Sequence, residues 1–305
     1  MGGFILVDGN SRGHAHHNSA ILSTPSGFQT QAIFGFIKEM RNLKSSYPDR
    51  RLIVLWDGRA QWRFDIYPGY KENRVAKTPA EEAEGYHYRN QTPIIRSLLQ
   101  ALNIEQKLNV ALEADDLAGY LAPKLEKFGP VLLVTGDGDW KQLVSPQVTW
   151  HDPRKSGITV DHSNFFEMTG YKTPANFLVG KAMMGDSSDC ITGVGGFGEK
   201  KAPLFVAEFG DLPSFIRMVK NKQFTPKLKM HKDLLSIDAV QRYIRNVKLM
   251  DLTSVPVPDP ADAFSLTSEY DEEKFRSTLQ ELGFVSILKD IQNFLLPFRQ
   301  GQLKL

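Results

Sequence analysis

The chain has 305 residues, enough for one large domain or two ordinary ones, and its 41% apolar and 24% charged content excludes a disordered polymer. Lys and Arg number 37 against 35 for Asp and Glu, so only the placement of charge can speak for or against a nucleic-acid partner. The single cysteine, Cys190, excludes an intrachain disulfide and a cysteine-based zinc site and fits a reduced, cytoplasmic setting.

The chain opens with the apolar run Phe4–Val7, too short for a signal peptide or a membrane span, which reads as a buried strand ending at Asp8. Ser11–His17 is dense in histidine and is expected to form a loop at the ligand-binding end rather than a metal site. Ser26-x-x-Gln29 fits a capping box opening a helix with Ile33, Phe36, Ile37, Met40 and Leu43 on one face. A second strand, Leu52–Trp56, ends at Asp57. Beyond it Arg59 and Arg63 are candidate phosphate contacts, and Trp62 suits either the core or stacking on a base. A third strand is expected near Leu108–Leu112, followed by Glu113-x-Asp115-Asp116. Those last acids open a helix with Leu117, Tyr120, Leu121 and Leu125 inward. Val131–Val134 is the fourth strand, followed by Asp137-x-Asp139.

Strands alternating with helices predict a doubly wound α/β core, whose ligand site lies beyond the carboxyl ends of the strands. After about residue 163 the pattern turns helical. Gly198–Lys232 carries eight Lys/Arg and three acids, a local charge of 8 − 3 = +5. Ser254–Pro260 reads as an extended linker, and about Asp271–Leu282 and Val285–Phe298 as a closing helical pair.

One acid at a strand end is ordinarily a cap or a turn former. Four successive strands ending this way would converge their carboxylates on one sheet edge, where they raise one another's pKa unless cations neutralise them. Asp137 and Asp139, two apart in extended chain, project to one side, and Asp186 and Asp189 are i, i+3 neighbours. An all-oxygen set without Cys or His suits Mg²⁺ or Mn²⁺, two of which serve phosphodiester cleavage.

Six segments in order resemble the phage and bacterial 5′ nucleases of the flap endonuclease family across roughly residues 4–252. They are Val7-Asp8-Gly9-Asn10, Trp56-Asp57-Gly58, Tyr70-Lys71-Glu72-Asn73-Arg74, Glu113-Ala-Asp-Asp116, Thr135-Gly-Asp-Gly-Asp139 and Gly185–Lys200. The resemblance implies a PIN-like parallel sheet flanked by helices, with a helical arch (about 59–92) inside a nuclease core of residues 1–165. It further implies a helical DNA-binding region over 166–252 with a helix-three-turn-helix hairpin, while 253–305 is expected to hold the linker and helices that pack back on the core.

The resemblance implies a first metal site from Glu113, Asp115, Asp137 and Asp139, with Asp8, Asp57 and Asp116 close by, and a second from Asp139, Asp186 and Asp189. Tyr70, Lys71 and Arg74 would stand at the base of the arch, both cations reaching the scissile phosphate; a solvated basic face is the plain alternative for Lys71 and Arg74. Two departures are visible: Cys190 stands where the family has Asn, and the segment from Arg74 to Arg89 is short and acidic.

Gly193, Gly195, Gly196 and Gly198 spell G-x-G-x-x-G, but they follow an acidic loop instead of a strand, which argues against dinucleotide binding. The better reading is a hairpin whose amides approach DNA phosphates, often with a bound K⁺ in the family, and with Lys200 and Lys201 adding charge. The expected protein is a free-standing, monomeric nuclease cutting DNA at a 5′ flap, nick, fork or free 5′ end, with RNA in an RNA–DNA duplex as a further substrate. A non-catalytic junction binder and a PIN-type ribonuclease are the alternatives; the nine acids oppose the first, and the glycine hairpin and basic arch the second.

Overall fold

The computed structural model describes residues 2–75, 78–154, 157–255 and 265–299. The first half alternates strand and helix: β1 (Phe4–Asp8), α1 (Gly9–His17), α2 (Gln31–Ser46), β2 (Arg51–Trp56), α3 (Gln61–Ile66), α4 (Pro79–Ala101), β3 (Glu105–Leu108), α5 (Ala114–Leu125) and β4 (Val131–Val134). Next come β5 (Val148–Asp152), β6 (Ile158–Val160), α6 (Phe165–Thr169) and α7 (Pro174–Met184), then the small hairpin β7 (Gly185–Asp186) and β8 (Ile191–Thr192). Helices α8 (Lys201–Phe209), α9 (Leu212–Lys220), α10 (Lys229–Asp233) and α11 (Ile237–Met250) follow. The described chain closes with β9 (Ser265–Leu266), α12 (Glu272–Glu281), α13 (Val285–Leu288) and α14 (Ile291–Arg299).

The main sheet runs β6-β5-β4-β1-β2-β3-β9, parallel from β5 to β3 and antiparallel at both edges. Alternation along its buried strands divides the core. Leu6, Ile53, Leu55, Val131 and Leu133 face α5, α7 and α8, whereas Ile5, Val7, Val54, Trp56, Leu132 and Val134 face α2, α4 and α12–α14. A mixed α/β, PIN-like arrangement is therefore observed.

Three local expectations change. The third strand is Glu105–Leu108 and not Leu108–Leu112: its polar residues are satisfied inside the fold, Gln106 accepting from Trp56 Nε1 at 2.9 Å and donating to the Arg96 carbonyl. Asn109–Leu112 is instead a turn closed by Asn109 Oδ1 on the Ala111 amide. Ser26 and Gln29 do not cap α2, because Thr24–Gln29 folds into its own turn. The Ala32 amide at the helix start is taken at 2.9 Å by Oε1 of the buried Gln91 from α4. The closing segment Val285–Phe298 is two helices with a break at Lys289–Asp290. Most of the proposed linker, 256–260, lies outside the described residues.

The segment expected to form the arch, about 59–92, holds α3, a 3-10 turn at Glu72–Arg74 and the first part of the 23-residue α4, whose start carries a full capping box between Thr78 and Glu81.

Candidate active site

Parallel register brings three strand ends to one level: Asp8 lies beside Leu55 in β2, and Val7 beside Val134 in β4. The acids that follow therefore leave the same sheet edge. Asp8, Asp57, Asp115, Asp137 and Asp139 line a cavity of about 510 Å³ with Asp186 and Asp189 from the β7–β8 hairpin. Lys71, Arg74 and Lys181 line it as well.

Each carboxylate is held by local backbone or a fixed donor. Asp8 accepts from the Ser11 amide (2.9 Å) and Thr135 Oγ1 (2.7 Å), and Asp57 from the Ala114 amide at the start of α5 (2.8 Å). Asp115 accepts from Trp140 Nε1 (2.7 Å) and Asp137 from the Asp139 amide (2.8 Å). Asp186 Oδ1 gathers the Ser188 amide and hydroxyl, which closes the hairpin turn. Cys190 adopts the left-handed region there with φ 58°, a conformation that Asn tolerates better than Cys. The turn is nevertheless tied to the basic segment, since Asn73 Nδ2 donates to the Ser188 carbonyl and the Lys71 amide to the Asp189 carbonyl.

Crowding shows in the titration of these groups. Burial, with repulsion from Asp57, pushes Asp8 up to about 6; burial and Asp139 push Asp137 up to about 7. Asp57, Asp115 and Asp139 are raised for the same first reason, Asp115 strongly because Asp137 and Asp8 add to burial. Glu113 and Asp186 go the other way. Burial would raise both, but Lys71 and Arg63 outweigh it at Glu113, and Lys181 does so at Asp186. Among the described residues no three acids or histidines are drawn together tightly enough to grip an ion as they stand. The acids that line the cavity offer carboxylate oxygens alone, a donor set that suits hard divalent cations.

The sequence profile of the 5′-3′ exonuclease N-terminal, resolvase-like domain matches residues 3–170. The chain belongs to the 5′-3′ exonuclease family. DNA polymerase I of Bacillus caldotenax is 30% identical over 298 residues, covering 95% of this chain and 32% of that protein. The enzyme of Bacillus subtilis is 31% identical over 296 residues, with coverages of 93% and 32%. The chain thus spans about a third of the length of these relatives. In structure this family member resembles a bacteriophage T5 protein co-crystallised with metal ions (TM-score 0.69, 22% identity, 97% and 99% covered). It likewise resembles flap endonuclease-1 from Methanococcus jannaschii (TM-score 0.65, 17% identity, 98% and 94% covered). Both likenesses establish the fold.

Within this exonuclease-family site several expected roles change. Arg63 is only 2% exposed and cannot lie against a phosphate: it forks onto both oxygens of Asp116 at 2.5 and 2.9 Å, reaches Glu113 at 3.2 Å and donates through Nε to the Leu249 carbonyl. Asp116 and Glu113 do not line the cavity. Asp116 is spent on Arg63 and on the Glu113 amide; Glu113 accepts from Lys71 Nζ (2.8 Å) and Tyr70 hydroxyl (2.9 Å). As the side chains stand, both carboxylates are paired with cations. Tyr70 is buried beside Glu113, and its hydroxyl is raised far from ionisation by burial and by Glu113. Trp62 packs its ring beneath the Arg63 guanidinium, whereas Arg59 is exposed.

Ser11–His17 is the body of α1, not a loop. His16 pairs with Glu39, His17 is buried against Glu84, and only His14, kept neutral by burial, lines the cavity. Gly193, Gly195 and Gly198 lie in the turn between α7 and α8. A Cβ on Gly193 would sit 2.1 Å from the Met184 carbonyl, and Gly195 and Gly196 have φ of 66° and 69°. Lys200 and Lys201 are exposed at the start of α8.

Sequence reading missed Lys181, which bridges Asp139 and Asp186. Its signal was the lone charged residue in the largely apolar helix Pro174–Met184, five residues before Asp186.

Proposed function

We propose that the chain is a magnesium-dependent, structure-specific 5′ nuclease. It would hydrolyse DNA phosphodiesters near a 5′ end to leave 5′-phosphate and 3′-hydroxyl, and would accept RNA in an RNA–DNA duplex. The observation that carries this reading is the convergence of seven aspartates and four cations, Lys71, Arg74, Arg154 and Lys181, on one cavity at the carboxyl edge of the parallel sheet. Asp8, Asp57, Asp115 and Asp137 would hold one ion and Asp139, Asp186 and Asp189 another, with Mn²⁺ able to replace Mg²⁺. Bound there, two such ions would ready a water for attack and stabilise the leaving oxygen.

The chain's own residues supply the rest. Lys71, in the left-handed region at φ 54°, is aimed by Glu113, and Arg74 by Asp189 at 2.6 Å; both cations line the cavity and would reach the scissile phosphate there. Positive charge fixed there before the reaction stabilises charge growing on the non-bridging oxygens. The glycine turn with Lys200 and Lys201 would hold the duplex through its phosphates, with K⁺ as a candidate ion at that turn. We further propose that the protein acts as a monomer.

The test uses 5′-labelled flap, nicked and blunt duplexes in Mg²⁺, comparing wild type with Asp137→Asn. Wild type should cut near the 5′ end and the variant should bind without cutting. Binding without cleavage by wild type would make the protein a junction binder, and cleavage by the variant at the wild-type rate would refute the metal assignment.

A further inference from the structure

The acids of the cavity fall into two groups. Asp8, Asp57, Asp115 and Asp137 receive hydrogen bonds only from amides, a hydroxyl and an indole, and none of them is ion-paired with a described residue. Asp139 and Asp186 are different: one ammonium, Lys181 Nζ, lies 2.8 Å from Asp139 Oδ1 and 2.9 Å from Asp186 Oδ2. Lys181 is 19% exposed and comes from the last turn of α7, anchored by apolar neighbours.

From this asymmetry we infer that Lys181 is a built-in countercation of the Asp139–Asp186 pair, which any divalent ion entering that half of the cavity must displace. The inference rests on the metal reading above and deepens it. An ammonium and a dication drawn to the same two oxygens repel across a few ångström of poorly screened protein, so both cannot be held tightly. A site whose closed form dominates binds with its intrinsic affinity reduced by the open fraction. The four unpaired aspartates carry no such competitor. The ion among them therefore binds first and tightly, and the ion at Asp139–Asp186 binds second and weakly. Lys181 is thus a positioning residue that sets the order of loading. In the metal-free protein it holds β7 against the sheet edge by pairing Asp186 with Asp139.

The experiment is Mn²⁺ titration of the whole chain without DNA, followed by calorimetry and by the paramagnetic signal of free Mn²⁺. Variants are Lys181→Met, Lys181→Gln as a second neutral side chain, Lys181→Arg and Asp186→Asn, each checked for folding by circular dichroism. Wild type should show a tight and a weak class of ion. Neutralising Lys181 should tighten the weak class by roughly tenfold or more and leave the tight class unchanged. Lys181→Arg keeps the charge and should behave as wild type, and Asp186→Asn should abolish the weak class alone. A thermal midpoint that drops in chelator and recovers in Mn²⁺ more than wild type's does would support the same conclusion.

If both neutral variants leave the weak class unchanged or weaken it, Lys181 is a scaffold and not a competitor, and the inference is wrong. Failure of wild type to bind any Mn²⁺ would instead remove the metal reading itself, and this inference with it. A wild type that binds two ions of equal affinity, unaffected by Lys181→Met, would keep the metal reading and overturn the loading order.

Discussion

Replacing Arg63 by Met separates the two roles that its position in the sequence allows. The guanidinium is 2% exposed, and its three nitrogens meet Asp116, Glu113 and the Leu249 carbonyl, joining α3, α5 and α11. Asp116 is fully buried. Methionine keeps much of the length and apolar packing but leaves that carboxylate without its cation. Breaking a buried pair from one side costs about 3–5 kcal/mol, because a charge stays buried uncompensated. Adding Asp116→Asn should recover part of the loss, since the amide oxygen can still take the Glu113 amide that Asp116 Oδ2 now accepts at 2.9 Å. A coupling of about 1–3 kcal/mol between the two changes is expected for groups in direct contact. The assay is urea unfolding followed by far-ultraviolet circular dichroism in chelator at pH 7.5, comparing midpoints at constant slope for wild type, both single variants and the double variant. A midpoint change equivalent to less than about 1 kcal/mol, with loss of duplex affinity, would show that Arg63 is the surface phosphate contact its sequence position suggests and would refute the buried-clamp argument.

Other consequences arise from the same geometry. Asp8 and Asp137 have pKa values raised to about 6 and about 7, so between about pH 4 and 7 the folded metal-free protein binds more protons than the unfolded chain. These two groups therefore contribute stability at mild acid that is lost as pH rises through 6–7. The thermal midpoint in chelator should consequently gain more from added Mg²⁺ at pH 8 than at pH 5.5, and an equal gain at both would contradict it. Calorimetry near pH 6.5 in buffers of different ionisation enthalpy should detect protons released on metal binding, fewer at pH 8.5. Lys71→Ala should slow flap cleavage by roughly 10²–10³-fold with little change in duplex affinity, as removal of one fixed charge from a transition-state site does; a loss confined to binding would make Lys71 a docking residue. Gly193→Ala places a methyl 2.1 Å from the Met184 carbonyl and should destabilise the protein by about 1–3 kcal/mol while weakening duplex binding. An alanine variant with wild-type melting and affinity would mean that the turn has room to move.

How much of the fold and the site was legible in the sequence depends on which force places each residue. Asp8, Asp57 and Asp137 were readable because the apolar runs before them are central strands of a covered parallel sheet, and the residues just past such a strand emerge at its carboxyl edge. The strand Glu105–Leu108 was not, since Gln106 and Lys107 are buried through partners distant in sequence, Trp56 and Ser265, and a polar run with satisfied side chains looks like a loop. Distant partners also decide where side chains at the site stand. Arg63, Asp116, Glu113 and Tyr70 fit surface or ligand roles by motif, yet Arg63 meets acids some fifty residues away and Leu249, 186 residues on. Motif spacing carries the chemistry of each group; only the fold decides whether that chemistry faces the cavity or holds another side chain in place. Lys181 joins both cases, because the aspartates it pairs were visible in the sequence and the pairing was not. Several charges at the cavity depend on paired neighbours: Glu113 aims Lys71, Asp116 holds Arg63 beside Glu113, and Lys181, itself on the cavity wall, ties Asp186 of the hairpin to Asp139. Open charges at the site are therefore positioned in two ways: Asp8, Asp57, Asp115 and Asp137 by neutral donors, and Lys71, Arg74 and Asp186 by ion pairs.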